Sequence, residues 1–210
     1  MFTKASSRFF LILLVILSVV FIWSAIAPHD RLTWWLEVFP ALIALPALIF
    51  TYNKLKFTRL VYVLILLHAI ILLIGGHYTY AEVPLFNWLR DTFDLSRNYY
   101  DRVGHFVQGF VPAIIAREIL LKQSPLVGGR WLFFIVACIC LSISACYEFI
   151  EWWVAIISGT GADAFLGTQG DIWDTQWDMF TALLGAIIAQ LLLARQQDKQ
   201  IGRMRTSQDG

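Results

Sequence analysis

The chain has 210 residues, 59% of them hydrophobic and only 15% charged, with a mean hydropathy of +0.67. Soluble domains carry about 25% charged residues, so this composition belongs to a protein solvated by lipid, and membrane lipids are its expected partners. A net charge of +1 and the lack of an extended basic block exclude a nucleic-acid-binding surface.

Apolar runs of about 20 residues predict six transmembrane helices, an all-α polytopic membrane bundle forming a single integral domain over 1–210. The first spans Phe9–Ala27. Ala25-Ile26-Ala27 fits a small-x-small cleavage pattern, yet the apolar stretch exceeds a signal-peptide core and Pro28 would follow the cut. The segment is therefore expected to stay as an anchor. Trp34–Tyr52 and Thr58–Gly76 follow. Residues 78–100 read as an outer interfacial loop, in which Val83, Leu85, Phe86, Trp88, Leu89, Phe93 and Leu95 alternate with Arg90, Asp91, Asp94 and Arg97. That pattern suits a segment lying on the membrane surface. The fourth helix, Asp101–Leu121, carries adjacent Arg117 and Glu118 near its end, expected as an ion pair. The fifth, Arg130–Ile157, is long enough to tilt or project from the bilayer. Its Cys138, Cys140 and Cys146 are expected to be small lipid- or helix-facing residues rather than metal ligands or disulfide partners. Ser158–Gly170, with four glycines, is expected to be a turn-rich excursion. Asp174–Ala194 is the last helix, and 195–210 read as a mobile cytoplasmic tail.

Basic residues set the expected orientation. With the N-terminus inside, the inner segments hold 12 of the 16 lysines and arginines, and the outer ones only Arg31, Arg90, Arg97 and Arg102. The positive-inside bias then puts both termini in the cytoplasm of a bacterial inner membrane. His77, Asp101, His105, Glu148, Glu151, Asp174 and Asp178 all fall at the outer, periplasmic end of their helices on this arrangement. Ionisable groups inside a bilayer cost roughly 2.5–3.5 kcal/mol each on insertion scales, so they are rare there and usually functional.

The spacings gather these groups into stripes. Asp101, His105, Gln108 and Pro112 share one face of the fourth helix; Ser144, Glu148 and Glu151 share one of the fifth. Asp171, Asp174, Asp178 and Gly185 line the sixth if that helix starts early. Polar stripes on apolar helices turn from lipid toward one another. Five carboxylates there face few cations, chiefly Arg102 and Arg97, and such a surplus takes up protons or recruits a cation. Asp101, His105, Glu148, Asp174 and Asp178 are the expected ligands of a divalent metal, with Mg, Mn, Fe and Zn all compatible with mixed oxygen and nitrogen donors. His77 and Glu151 are the candidate general acid and base.

The runs Arg97-Asn98-Tyr99-Tyr100-Asp101-Arg102-Val103-Gly104-His105-Phe106, Tyr147-Glu148-Phe149-Ile150-Glu151-Trp152 and Gln169 through Asp178 resemble the YjdF-type family of bacterial inner-membrane proteins. That resemblance implies membrane location and brings no assigned reaction. A more distant likeness joins Asp101 through Phe106, Glu148, and Asp174 through Gly185 to VanZ-like membrane proteins, some linked to glycopeptide-antibiotic resistance. Those proteins commonly carry Asn where this chain has Asp178. The residues themselves suit a metal-dependent hydrolase or transferase acting on a lipid or lipid-linked headgroup. A cation- or proton-coupled transporter and a non-catalytic envelope or assembly factor are the alternatives.

Overall fold

A computed structural model describes residues 4–158 and 166–206. Among these, seven helices and one short 3-10 turn account for the regular structure, with no strand: α1 (Lys4–Ala25), α2 (Arg31–Thr51), α3 (Arg59–Tyr78), the turn Tyr80–Glu82, α4 (Pro84–Phe93), α5 (Tyr100–Gln123), α6 (Arg130–Ser158) and α7 (Asp174–Thr206). All but α4 are long and apolar enough to cross a membrane. Most of the Ser158–Gly170 excursion lies outside the described residues.

Local chemistry sets the helix ends. Asp30 begins α2 three residues before the apolar run does, because its carboxylate accepts the Thr33 N–H at 2.7 Å. Thr58 caps α3 in the same way through Val61. Pro84 occupies the first turn of α4, where its missing N–H costs nothing, and Asp94 closes that helix in the left-handed region. The amphipathic 78–100 segment is thus partly helical, with Leu85, Trp88 and Phe93 exposed along α4.

Helices α5 and α7 form the centre of the bundle. A Cβ on Gly109 would strike the Ala182 carbonyl, and one on Gly185 would strike the Phe106 carbonyl. Only glycine lets these two backbones approach so closely, the small-residue contact by which membrane helices associate without a hydrophobic driving force between them. Val111, Ala113, Ile114, Val136 and Ala186 fill the adjoining core. Helices α1 and α2 are peripheral. Ser24 donates to the Leu73 carbonyl at 2.6 Å and accepts from the Trp34 indole at 2.9 Å, tying both to α3, while Val19, Ile22, Ile49 and Phe50 stay exposed as a lipid-facing surface.

The last helix differs from the sequence expectation. Residues after Ala194, expected as a tail, continue α7 to Thr206 because their polar groups dock on the bundle. Gln197 is fully buried and donates to the Ile114 carbonyl at 2.7 Å, and Gln200 accepts the Leu60 N–H at 3.1 Å. Residues 207–210 lie outside the described part. The expected Arg117–Glu118 pair is also corrected: neighbours on a helix point apart, so Arg117 grips Asp198 with both nitrogens and Glu118 binds Lys122.

Candidate functional site

At the end of the bundle where α1 turns into α2, side chains from α2, α5, α6, α7 and two loops converge. Asp101 and His105 are stacked one turn apart on α5, both buried. Glu148 and Glu151 come from α6, and Asp174 and Asp178 from the first turns of α7. The three stripes meet as the spacings require, except that α7 begins at Asp174, so Asp171 joins the cluster from the turn before the helix.

The two arginines do more than the sequence suggests. Arg97 donates to Asp174 at 2.5 Å, to Asp101 at 3.3 Å and to the Gly167 carbonyl at 3.0 Å, and lies 3.5 Å from Asp171. Arg102 donates to Asp174 at 2.6 Å, to Asp101 and Asp171 at 3.2 Å, and to Asp178. Four aspartates therefore share two guanidinium groups, an arrangement that stitches α5 to the start of α7. Asn98 and Gln169 reinforce it by exchanging backbone and amide bonds at 2.9 and 3.0 Å.

His105 occupies the middle. Its Nδ1 lies 2.8 Å from the Gln108 amide oxygen, and its Nε2 lies 3.4 Å from Asp101 Oδ1 and 3.7 Å from Asp178 Oδ1. If Nδ1 carries the proton donated to Gln108, the Nε2 lone pair faces two carboxylates. That is how metal-ligating histidines are held, with the far nitrogen fixed by a carbonyl. The ligand atoms of Asp101, His105 and Asp178 fall within 4.8 Å of one another, as do those of His105, Glu148 and Glu151.

The expected site residues separate into three groups. Asp101, His105, Glu148, Glu151 and Asp178 are brought together. Asp174 reaches the same cluster but is held by both arginines and belongs to neither ion-sized group among the described residues. His77 is drawn elsewhere: its Nδ1 meets the Ser24 carbonyl at 3.1 Å and its ring packs against Trp23 and Tyr78. Among the described residues no contact joins it to the cluster, so it is not placed to act there as an acid or base.

Glu37 is the residue that sequence reasoning missed. It is a buried acid from α2, within electrostatic reach of Tyr80, Asp101 and His105. Tyr80 reaches it by wedging its ring where Cβ atoms on Gly75 and Gly104 would otherwise sit. Burial, then the Glu37 charge, hold the Tyr80 hydroxyl protonated well above its ordinary range. A lone acid within an apolar run was the available signal, the same one that marked Glu148. Among the described residues, seven carboxylates thus face two guanidinium groups and one imidazole. Free cysteines take no part: Cys138 and Cys146 are exposed and Cys140 packs in the core, as expected.

The helices and the buried polar cluster define a polytopic membrane protein. The chain belongs to the family described as "Predicted membrane protein (DUF2238)", which matches residues 9–199. It is similar to the "Inner membrane protein YjdF" of Escherichia coli (strain K12), with 51% identity over 187 residues covering 89% of this chain and 90% of that protein. No solved structure matches the chain.

Proposed function

We propose that this is a divalent-cation-dependent hydrolase or transferase of the bacterial inner membrane, acting at the periplasmic face on a lipid or lipid-linked headgroup. The location rests on the similarity to the Escherichia coli inner-membrane protein and on the 12-to-4 distribution of basic residues. The observation that carries the cation is the placement of His105, with Nδ1 on Gln108 and Nε2 beside Asp101 Oδ1 and Asp178 Oδ1. Asp101 Oδ1 is the oxygen that the arginines leave alone, since both approach Oδ2, whereas Asp178 Oδ1 also accepts from Arg102 and would offer the ion its second lone pair.

An ion held by Asp101, His105 and Asp178 would supply Lewis acidity toward a headgroup oxygen and lower the pKa of a bound water. Borderline ions such as Zn, Fe and Mn match this mixed donor set. Arg97 and Arg102 position Asp101 and Asp178 through their shared bonds. Glu151 is half-buried, and no ion pair engages it among the described residues, so its carboxylate is free to take a proton from the attacking group.

Elemental analysis of detergent-purified full-length protein, grown with supplemented metals, tests this reading. The wild type should retain a stoichiometric divalent ion, Asp178→Asn should lose it, and Asp174→Asn should keep it. Metal-dependent release of headgroup from vesicles of bacterial phospholipid should follow the ion. A wild type devoid of metal overturns the reading.

A further inference from the structure

We infer that the site holds a pair of cations rather than a single one, the second seated on α6 by Glu148, Glu151 and the Ser144 hydroxyl. This deepens the cation reading above and rests on it, and it gives Glu151 to the second ion as a ligand in place of the proton-accepting role.

Ser144, Glu148 and Glu151 lie on one face of α6 at helical spacing. Ser144 is fully buried and Glu148 is 6% exposed, yet Ser144 Oγ and Glu148 Oε1 each lack a hydrogen-bond partner. A buried polar atom left without a partner costs about 1–3 kcal/mol, and more when it is charged. Two such atoms on consecutive turns, in a cluster that otherwise satisfies its aspartates thoroughly, mark a place made for something else.

What would fill it follows from the chemistry of the groups. Neither guanidinium contacts Glu148 or Glu151 among the described residues. His105 Nδ1 stands 3.8 Å from Glu148 Oε1, too far for a hydrogen bond, and is already engaged by Gln108. The α6 seat is therefore all oxygen: two carboxylates and a hydroxyl. Hard ions such as Mg²⁺ and Mn²⁺ take such ligands. The first seat, with an imidazole nitrogen, prefers a softer ion.

His105 stands between the two seats, since its ligand atoms fall within 4.8 Å of both carboxylate sets. Ions held on either side of His105 would act together on one group, as in two-metal sites with ions about 3.5–4 Å apart that stabilise both the attacking and the leaving oxygen. Five acidic charges in excess of the two arginines supply the negative potential that a pair requires.

Titration of chelator-stripped, full-length protein in detergent with Mn²⁺ tests this by calorimetry and electron paramagnetic resonance. The wild type should bind a pair of ions with a spin-coupled signal. The Glu148→Gln/Glu151→Gln protein should bind one ion with an isolated-ion signal. Ser144→Ala, the mildest change and the guard against misfolding, should weaken the second ion about tenfold, the low end of losses for groups supporting a metal. A wild type that binds one ion, lost in Asp178→Asn but untouched by the α6 substitutions, overturns the second seat and leaves the first. A wild type that binds none overturns both.

Discussion

The two ends of the bundle hold buried polar clusters of similar size and opposite character. At one end Glu118 is fully buried and saturated: it accepts from the Thr58 N–H and hydroxyl at 2.7 Å each, from Lys122 at 2.7 Å and from Gln197 at 3.2 Å. Arg117, bound to Asp198 and Gln197, completes a balanced set. At the other end, acids outnumber cations, and Glu148 and Ser144 have unpartnered atoms. The difference teaches what burial alone does not. A saturated buried ion pair fastens α3, α5 and α7 together, whereas an unsaturated cluster is costly when nothing fills it and is suited to a ligand.

Substitutions separate the two characters. Glu118→Ala should be the most damaging, because it leaves the Thr58 N–H and hydroxyl without their acceptor and the Lys122 ammonium without its carboxylate. Breaking a buried pair costs about 3–5 kcal/mol, which unfolding in detergent will register. A loss below about 1 kcal/mol would erase the distinction between the ends. Arg102→Gln should cost less, about 2–3 kcal/mol from charge-assisted bonds lost to Asp101, Asp171, Asp174 and Asp178. Added Mn²⁺ should restore part of this stability, and only at this end of the molecule; failure of rescue argues that the cluster needs arginine specifically.

Asp30→Ala provides a scale from ordinary capping and should cost about 1 kcal/mol. The Thr33 N–H holds the Asp30 carboxyl below its usual pKa. Its stabilisation is therefore present above the unfolded carboxylate pKa and lost as pH falls through the lower folded value. Asp30→Ala and wild type should converge in acid when melting is followed against pH. Glu151→Gln should have the smallest effect, within about 0.5 kcal/mol without metal, since the carboxylate lies in a region of excess negative charge. A large loss would make Glu151 a structural partner instead of an open carboxylate.

Much of this architecture was legible because membrane insertion imposes a simple physical test on each segment. Six apolar runs became six long helices, and the α5, α6 and α7 stripes met at matching depth because polar faces have nowhere else to go. Glu37 was overlooked although it bears the same mark as Glu148. Its partner Tyr80 could not be assigned from sequence, since that pairing depends on the gap left by Gly75 and Gly104. Adjacency in sequence suggests an Arg117–Glu118 pair, whereas helical geometry sends them to different neighbours. The polar run after Ala194 has a tail-like composition, and only its docking against Ile114, Glu118 and Leu60 makes it helix.

Hydropathy and helical period determined the class of the protein, its spans and the faces on which its acids lie, because each is a property of one segment against lipid. Which acids are neutralised by Arg97 and Arg102, which stay open around His105, and which histidine is diverted to α1 were decided by tertiary structure alone. Those outcomes depend on distances of a few ångströms between helices, and no segment carries that information by itself.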